Sequence, residues 1–213
     1  MAVVLKSIEQ FAPELTRATM HLTHGLVKMK GGVKMSSRKG NILRATDVLD
    51  AAESASTKAN GRHDEQTSLG AVKYAFLRQR TGGDIIYDPE ESVSLEGNSG
   101  PYLQYAHARA RSILAKTENP AAATLGDLQP GERTLARKIS EYPEIIQKAV
   151  DELMPHHVCT YLYELAQAFN RFYEHNRVVG DEREATRLHL VILYADVLKD
   201  GLGLLGIAAP DRM

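Results

Sequence analysis

From Lys28 to Arg44 the chain carries six basic residues, Lys28, Lys30, Lys34, Arg38, Lys39 and Arg44, and no acidic one. Gly31, Gly32 and Gly40 are interspersed among them. Lysines supply compact charges to phosphate oxygens, and glycines let backbone N–H groups converge on an anion. The pattern suits a loop that receives phosphates; the plainer reading of such a run is a solvated basic loop. A second constellation is Tyr102, Tyr105 and Arg109. Spaced i, i+3 and i+7, they share one face of a helix. They read either as core tyrosines with hydroxyls at the rim, or as a platform on which unpaired bases stack while the arginine meets phosphate.

Other residues with chemical potential carry less. Adjacent histidines such as His156 and His157 rarely point at one ion, and no carboxylate pattern joins them, so no metal site is expected. His21 and His24 read as structural. Cys159 reads as a small buried hydrophobe at a helix start. As the single cysteine it excludes an internal disulfide framework and a thiolate zinc cage.

The elements that must position these groups follow from periodicity. The chain has 213 residues, 43% hydrophobic and 25% charged, with a net charge of −1. That composition supports a buried core and argues against disorder. No apolar run approaches the roughly 20 residues of a membrane span, and the start is too short for a signal-peptide core. A reducing cytoplasm is the expected location.

Residues 1–33 read as strand and loop of an α/β unit, from short apolar pieces such as Phe11 to Leu15 and His21 to Val27. Thr46 to Asn60 predicts a helix stopped by Gly61, Leu69 to Arg80 a second, and Ile85 to Tyr87 a short strand. Past Pro101 the pattern is helical throughout. Tyr102 to Lys116 predicts a helix. Leu135, Ile139, Tyr142, Ile146 and Leu153 form a stripe that Pro143 must kink or restart. Val158, Leu162, Leu165, Phe169, Phe172 and Tyr173 form the next. Asp181 and Glu184 have the spacing of a helix start, and Leu188 to Leu205 form the last stripe.

Within the basic segment stands Lys34-Met35-Ser36-Ser37-Arg38-Lys39-Gly40-Asn41. It resembles the Lys-Met-Ser-Lys-Ser signature of class I aminoacyl-tRNA synthetases, in the form found in the arginyl-tRNA synthetases. Leu69 to Tyr74 is similar to that family's linking helix. The string from Ser94 to Arg109, Ser-Leu-Glu-Gly-Asn-Ser-Gly-Pro-Tyr-Leu-Gln-Tyr-Ala-His-Ala-Arg, is the longest match. The ending from Gly201 to Met213 resembles the family's ending, and the Gly100 to Arg109 string argues against a cysteine or methionine enzyme.

The resemblance implies a mainly α fold. Residues 1–95 would be a small α/β remnant of a class I, Rossmann-type catalytic domain. Residues 96–213 would be a helical-bundle, DALR-type anticodon-binding domain. It implies ATP, with Mg²⁺, as substrate of the complete enzyme, no bound metal or prosthetic group in this chain, and tRNA(Arg) as partner of a monomer. Lys34, Arg38 and Lys39 would stabilise charge growing on the phosphates; Met35, Ser36 and Ser37 would pack the loop or bind phosphate. Ser37 stands where the family has its second lysine. Tyr102, Tyr105, Arg109, Tyr173 and Met213 would line the anticodon site, with Asn170 and Arg177 within reach of the RNA backbone. The family's His-x-Gly-His motif is absent, so this chain alone is expected not to activate arginine. The alternative is a stand-alone helical tRNA- or protein-binding module without catalytic activity.

Overall fold

The computed structural model describes residues 1–31, 44–61, 64–117 and 126–213. In chain order these hold α1 (Ala2–Ile8), α2 (Pro13–Ala18), β1 (Val27–Met29), α3 (Ala45–Asn60), α4 (Glu65–Leu77), β2 (Ile85–Tyr87), α5 (Pro89–Ser92), α6 (Gly100–Leu114), α7 (Pro130–Ser140), α8 (Tyr142–Glu152), α9 (His156–His175) and α10 (Glu184–Leu204). The chain is mostly helical, as expected. The basic Lys34 to Asn41 motif lies outside the described residues.

The amino-terminal segment departs from expectation. Only Val27–Met29 becomes a strand; α1 and α2 are helices, the latter opened by Pro13. Proline's fixed φ suits the first helical turn, and no described strand is available to pair with Phe11–Leu15. β1 and β2 run parallel, with Val27 opposite Ile85 and Met29 opposite Tyr87. The Asp84 carboxylate accepts from the Leu26 amide at 2.9 Å and from Lys28 Nζ at 2.6 Å, closing one end of the pair.

Two apolar cores form. The smaller joins Val48, Ala52, Val72, Ala75 and Tyr87, with Phe76 set edge-on to Tyr87 at 5.7 Å. The larger fills the bundle of α6 to α10 around Leu103, Leu162, Leu165, Phe169, Val191 and Leu198. α4 belongs to both: Val72 and Ala75 face the smaller core, while Tyr74 reaches the larger. A helix with two buried sides shows little amphipathic stripe, which is why its limits, Glu65–Leu77, differ from the predicted Leu69–Arg80. Gly70 and Gly100 let α4 and α6 cross closely; a Cβ on Gly100 would sit 2.4 Å from the Gly70 carbonyl oxygen.

Pro143 restarts the helix rather than bending it. α7 ends at Ser140 and α8 opens at Tyr142 with the proline in its first turn. A buried ion cluster then pins α7 to α10. Glu132, fully buried, accepts from Arg183 Nε at 2.8 Å and Arg187 Nε at 3.0 Å, and from the Gln129 amide at 2.9 Å. Arg187 also donates to the Arg177 carbonyl at 2.7 Å. With Arg183 foremost among these donors, the Glu132 carboxyl is lowered from 4.5 to about 2.

The folded value lies below the unfolded one. The contribution is therefore complete above about pH 4.5 and is lost as pH falls towards 2. Glu132→Gln removes the buried anion that Arg183 and Arg187 share, leaving Arg187 with Asp181 at 3.1 Å, and is expected to lower stability by about 3–5 kcal/mol at neutral pH. In urea denaturation the gap between variant and parent should narrow steadily below about pH 4.5. A gap independent of pH would show that the carboxylate charge does not hold this corner.

Candidate nucleic-acid interface

α6 begins with a cap that fixes its first turn. Ser99 Oγ accepts from the Tyr102 amide at 3.1 Å, and Pro101 occupies the opening turn. This sets Tyr102, Tyr105 and Arg109 along one face. Tyr105 is 45% exposed, whereas Tyr102 and Arg109 are half-buried. Tyr105 stands in solvent, and Tyr102 lies at the rim of the core with its hydroxyl paired to α9.

α9 supplies the matching wall. Asn170 Nδ2 donates to Tyr102 Oη at 2.9 Å, and Asn170 Oδ1 accepts from Arg109 Nη1 at 3.2 Å. One amide thus spends both its ends on the two α6 side chains. The Tyr163 ring meets the Tyr102 ring edge-on at 5.7 Å. The Arg109 guanidinium sits over the Tyr173 ring, 4.9 Å from its centroid. Tyr173 stacks on Phe169 at 6.2 Å, and Phe169 on the buried Tyr194 at 3.9 Å and 7°. A ladder of rings therefore runs from the core to Arg109. Burial raises the Tyr102 phenol above its ordinary value.

Beside Tyr173 opens a cleft of about 410 Å³. Ile113 and Val178 give it apolar walls, and Lys116 and Arg177 add positive charge. Arg177 is partly committed, donating from Nε to the Val179 carbonyl at 3.0 Å. Exposed aromatic edges, a guanidinium held flat on a ring and flanking cations are the groups that bind unstacked bases and their phosphates.

Met213 is placed differently. The chain end runs along α6, where Gln104 Nε2 donates to the Ala208 carbonyl at 2.9 Å. His107 Nδ1 pairs with the Pro210 carbonyl at 2.8 Å, and Arg111 Nε with Asp211 at 3.1 Å. At about 100° per residue these three positions point roughly opposite to Tyr102, Tyr105 and Arg109. Met213 is 40% exposed, and among the described residues no hydrogen bond or ring contact joins it to the tyrosine face. Burial lowers the His107 imidazole pKa, so at neutral pH the ring is uncharged where it holds the tail.

The remaining sequence candidates have local duties. His157 Nε2 lies 2.6 Å from Glu152, and its ring packs on His156 at 4.2 Å. Among the described residues no group of three or more His, Cys, Asp or Glu gathers to hold an ion. Cys159 is buried, its thiol pushed up to about 12, and its carbonyl accepts from Tyr74 Oη at 3.0 Å. The Asn98 side-chain amide pairs with the Tyr74 hydroxyl, and its carbonyl accepts from Arg78 at 2.6 Å. Sequence reasoning missed Tyr163 and Tyr194, and it missed the brace that Asn170 forms between Tyr102 and Arg109. Tyr163 and Asn170 lie seven residues apart on α9, a same-face spacing that signals the wall.

A model of the DALR anticodon binding domain matches residues 103–213. The chain belongs to this family. The arginine–tRNA ligase of Limosilactobacillus fermentum is 39% identical over 206 residues, covering 91% of this chain and 36% of that protein. That of Haemophilus influenzae is 38% identical over 212 residues, covering 91% and 37%. The arginyl-tRNA synthetase of Thermus thermophilus superposes on all of this chain and 39% of its own, with a TM-score of 0.81 at 30% identity. The Plasmodium falciparum structure has the same TM-score at 23% identity and shows the shared fold. This DALR chain spans little more than a third of the curated relatives it matches, and it corresponds to their carboxy-terminal part.

If the Asn170 amide couples the two helices, Tyr102→Phe and Asn170→Ala are not additive. A double-mutant cycle in urea should return a coupling of about 0.5–1.5 kcal/mol. Zero coupling would contradict the bridge.

Proposed function

We propose that this chain is the tRNA-reading, carboxy-terminal portion of an arginine–tRNA ligase. Residues 96–213 bind the anticodon of tRNA(Arg), and residues 1–95 are the end of a catalytic domain. The observation that carries the reading is the α6 face: Tyr105 exposed, Tyr102 and Arg109 braced by Asn170, and Tyr173 stacked beneath the guanidinium. Unpaired bases stack on the tyrosines, and Arg109, Lys116 and Arg177 meet the phosphates. Met213 contributes once RNA is bound. The identity of the relatives as arginine–tRNA ligases supports the choice of tRNA.

In the complete enzyme the reaction joins the arginine carboxylate to the ATP α-phosphate and expels pyrophosphate. Negative charge grows on the bridging and leaving oxygens. Lys34, Arg38 and Lys39 stabilise that charge, with Met35, Ser36 and Ser37 seating the loop on the nucleotide. Mg²⁺ accompanies ATP as part of the substrate. The protein works as a monomer in the cytoplasm; among the described residues no helix is long and apolar enough to cross a membrane.

Filter binding tests the assignment. Stacking on aromatic rings is worth about 1–3 kcal/mol per base, so Tyr105→Ala should weaken tRNA(Arg) binding about tenfold or more. Affinity should fall steeply with salt, as phosphate contacts require. Equal affinity for unrelated tRNAs would overturn the reading. In a complete enzyme, replacing Lys34 and Lys39 together should cut the turnover of arginine activation and leave tRNA affinity unchanged. A loss confined to tRNA binding would refute the loop's role.

A further inference from the structure

The carboxy-terminal segment is held more firmly than a chain end ordinarily is. α10 stops where Gly206, at φ 66°, turns the backbone and the Ile207 amide donates to the Leu202 carbonyl at 2.9 Å. The chain then lies against α4 and α6. Ile207 is buried in the larger core, and Ala209 packs against it. Around these apolar anchors the backbone carbonyls are gripped in turn. Lys73 Nζ donates to that of Gly206, Gln104 Nε2 to that of Ala208 at 2.9 Å, and His107 Nδ1 to that of Pro210 at 2.8 Å. A carbonyl only accepts, so His107 carries a proton on Nδ1.

Two features set this apart from ordinary packing. Gln104 and His107 are buried, 0% and 1% exposed. Burying an amide and an imidazole costs free energy that apolar side chains there would not incur. Gln104 Oε1 finds no partner among the described residues, so that cost is not fully offset. The grip also falls on every second carbonyl. What it fixes is the register of the backbone along α6.

That register sets where the chain ends. Ala208 lies at Gln104, Pro210 at His107, and Asp211 meets Arg111 one turn further on. The strap therefore advances in the direction of α6. Two residues remain, spanning at most about 7 Å when extended. At about 1.5 Å per helical residue this covers four to five positions, which brings Met213 within reach of Lys116. Ile113 and Lys116 line the cleft beside Tyr173.

We propose that Lys73, Gln104 and His107 are positioning residues for RNA binding. By fixing the register of the carboxy-terminal strap they deliver Met213 to the rim of the cleft at the end of α6. This rests on the ligase reading above, and the three act on RNA only through Met213.

Filter binding of an arginine tRNA to the 213-residue chain tests the clamp. Gln104→Met with His107→Phe removes two donors and keeps their bulk. This pair and Met213→Ala should each weaken binding about tenfold, the effect of one methionine side chain packed on RNA. Combined, they should bind no more weakly than either alone, since both remove the same contact. Losses that multiply, or a clamp pair that binds as the parent does, overturn the proposal. His107→Asn keeps a donor near the place of Nδ1 and should bind like the parent, whereas His107→Phe should not. One alanine inserted between Asp211 and Arg212 leaves the clamp and both cores intact while shifting Met213. It should cost as much as Met213→Ala, and it decides the matter should the clamp pair fail to fold. Unchanged affinity on that insertion overturns the proposal. Absence of selectivity for arginine tRNA in the parent counts against the ligase reading. Multiplying losses with that selectivity intact count against the clamp alone.

Discussion

The candidate interface depends on one side chain with two ends. Asn170 gives a proton to the Tyr102 hydroxyl and takes one from Arg109, so α6 and α9 present their groups in one fixed relation. An amide is suited to this because its donor and acceptor lie on one rigid plane. A carboxylate could not donate to Tyr102, and a lysine could not accept from Arg109. The stacked rings from Tyr194 through Phe169 to Tyr173 then carry the rigidity of the core to the guanidinium. Stacking sites gain from such preparation, since less side-chain freedom remains to be lost when RNA arrives.

α4 gives the molecule its second constraint. It lends Tyr74 to the bundle and Val72 and Ala75 to the smaller core, and it crosses α6 at two glycines. The turn before α6 is tied to it through Asn98 and Arg78. The strands and the interface are therefore built on one shared helix. The buried Glu132 cluster does the corresponding work at the far corner, where α10 begins.

Much of this was legible in the sequence because it is local. The stripes of α9 and α10, the restart at Pro143 and the shared face of Tyr102, Tyr105 and Arg109 are all matters of spacing along one helix. The match of the string around Gly100 placed the family correctly. What was not legible depends on partners far apart in the chain. The brace at Asn170 was not legible because nothing near it announces Tyr102 and Arg109, more than sixty residues earlier. Glu132 sits in the first turn of α7, and nothing near it announces its partners, Arg183 at the start of α10 and Arg187 one turn within it, about fifty residues later. The tail's course along α6 rests on bonds spanning about a hundred residues. The amino-terminal helices were misread as strand because, short as they are, none of their side chains is buried, so they carry no clear apolar stripe.

The central claim is that bases of an unpaired RNA loop lie on the α6–α9 face. Photo-crosslinking of an arginine tRNA carrying photoreactive bases in its anticodon loop, with the attachment points read by mass spectrometry, tests it directly. The account predicts adducts on Tyr105, Tyr102 or Tyr173. Adducts that avoid these rings and fall on α8 or the amino-terminal helices would contradict it.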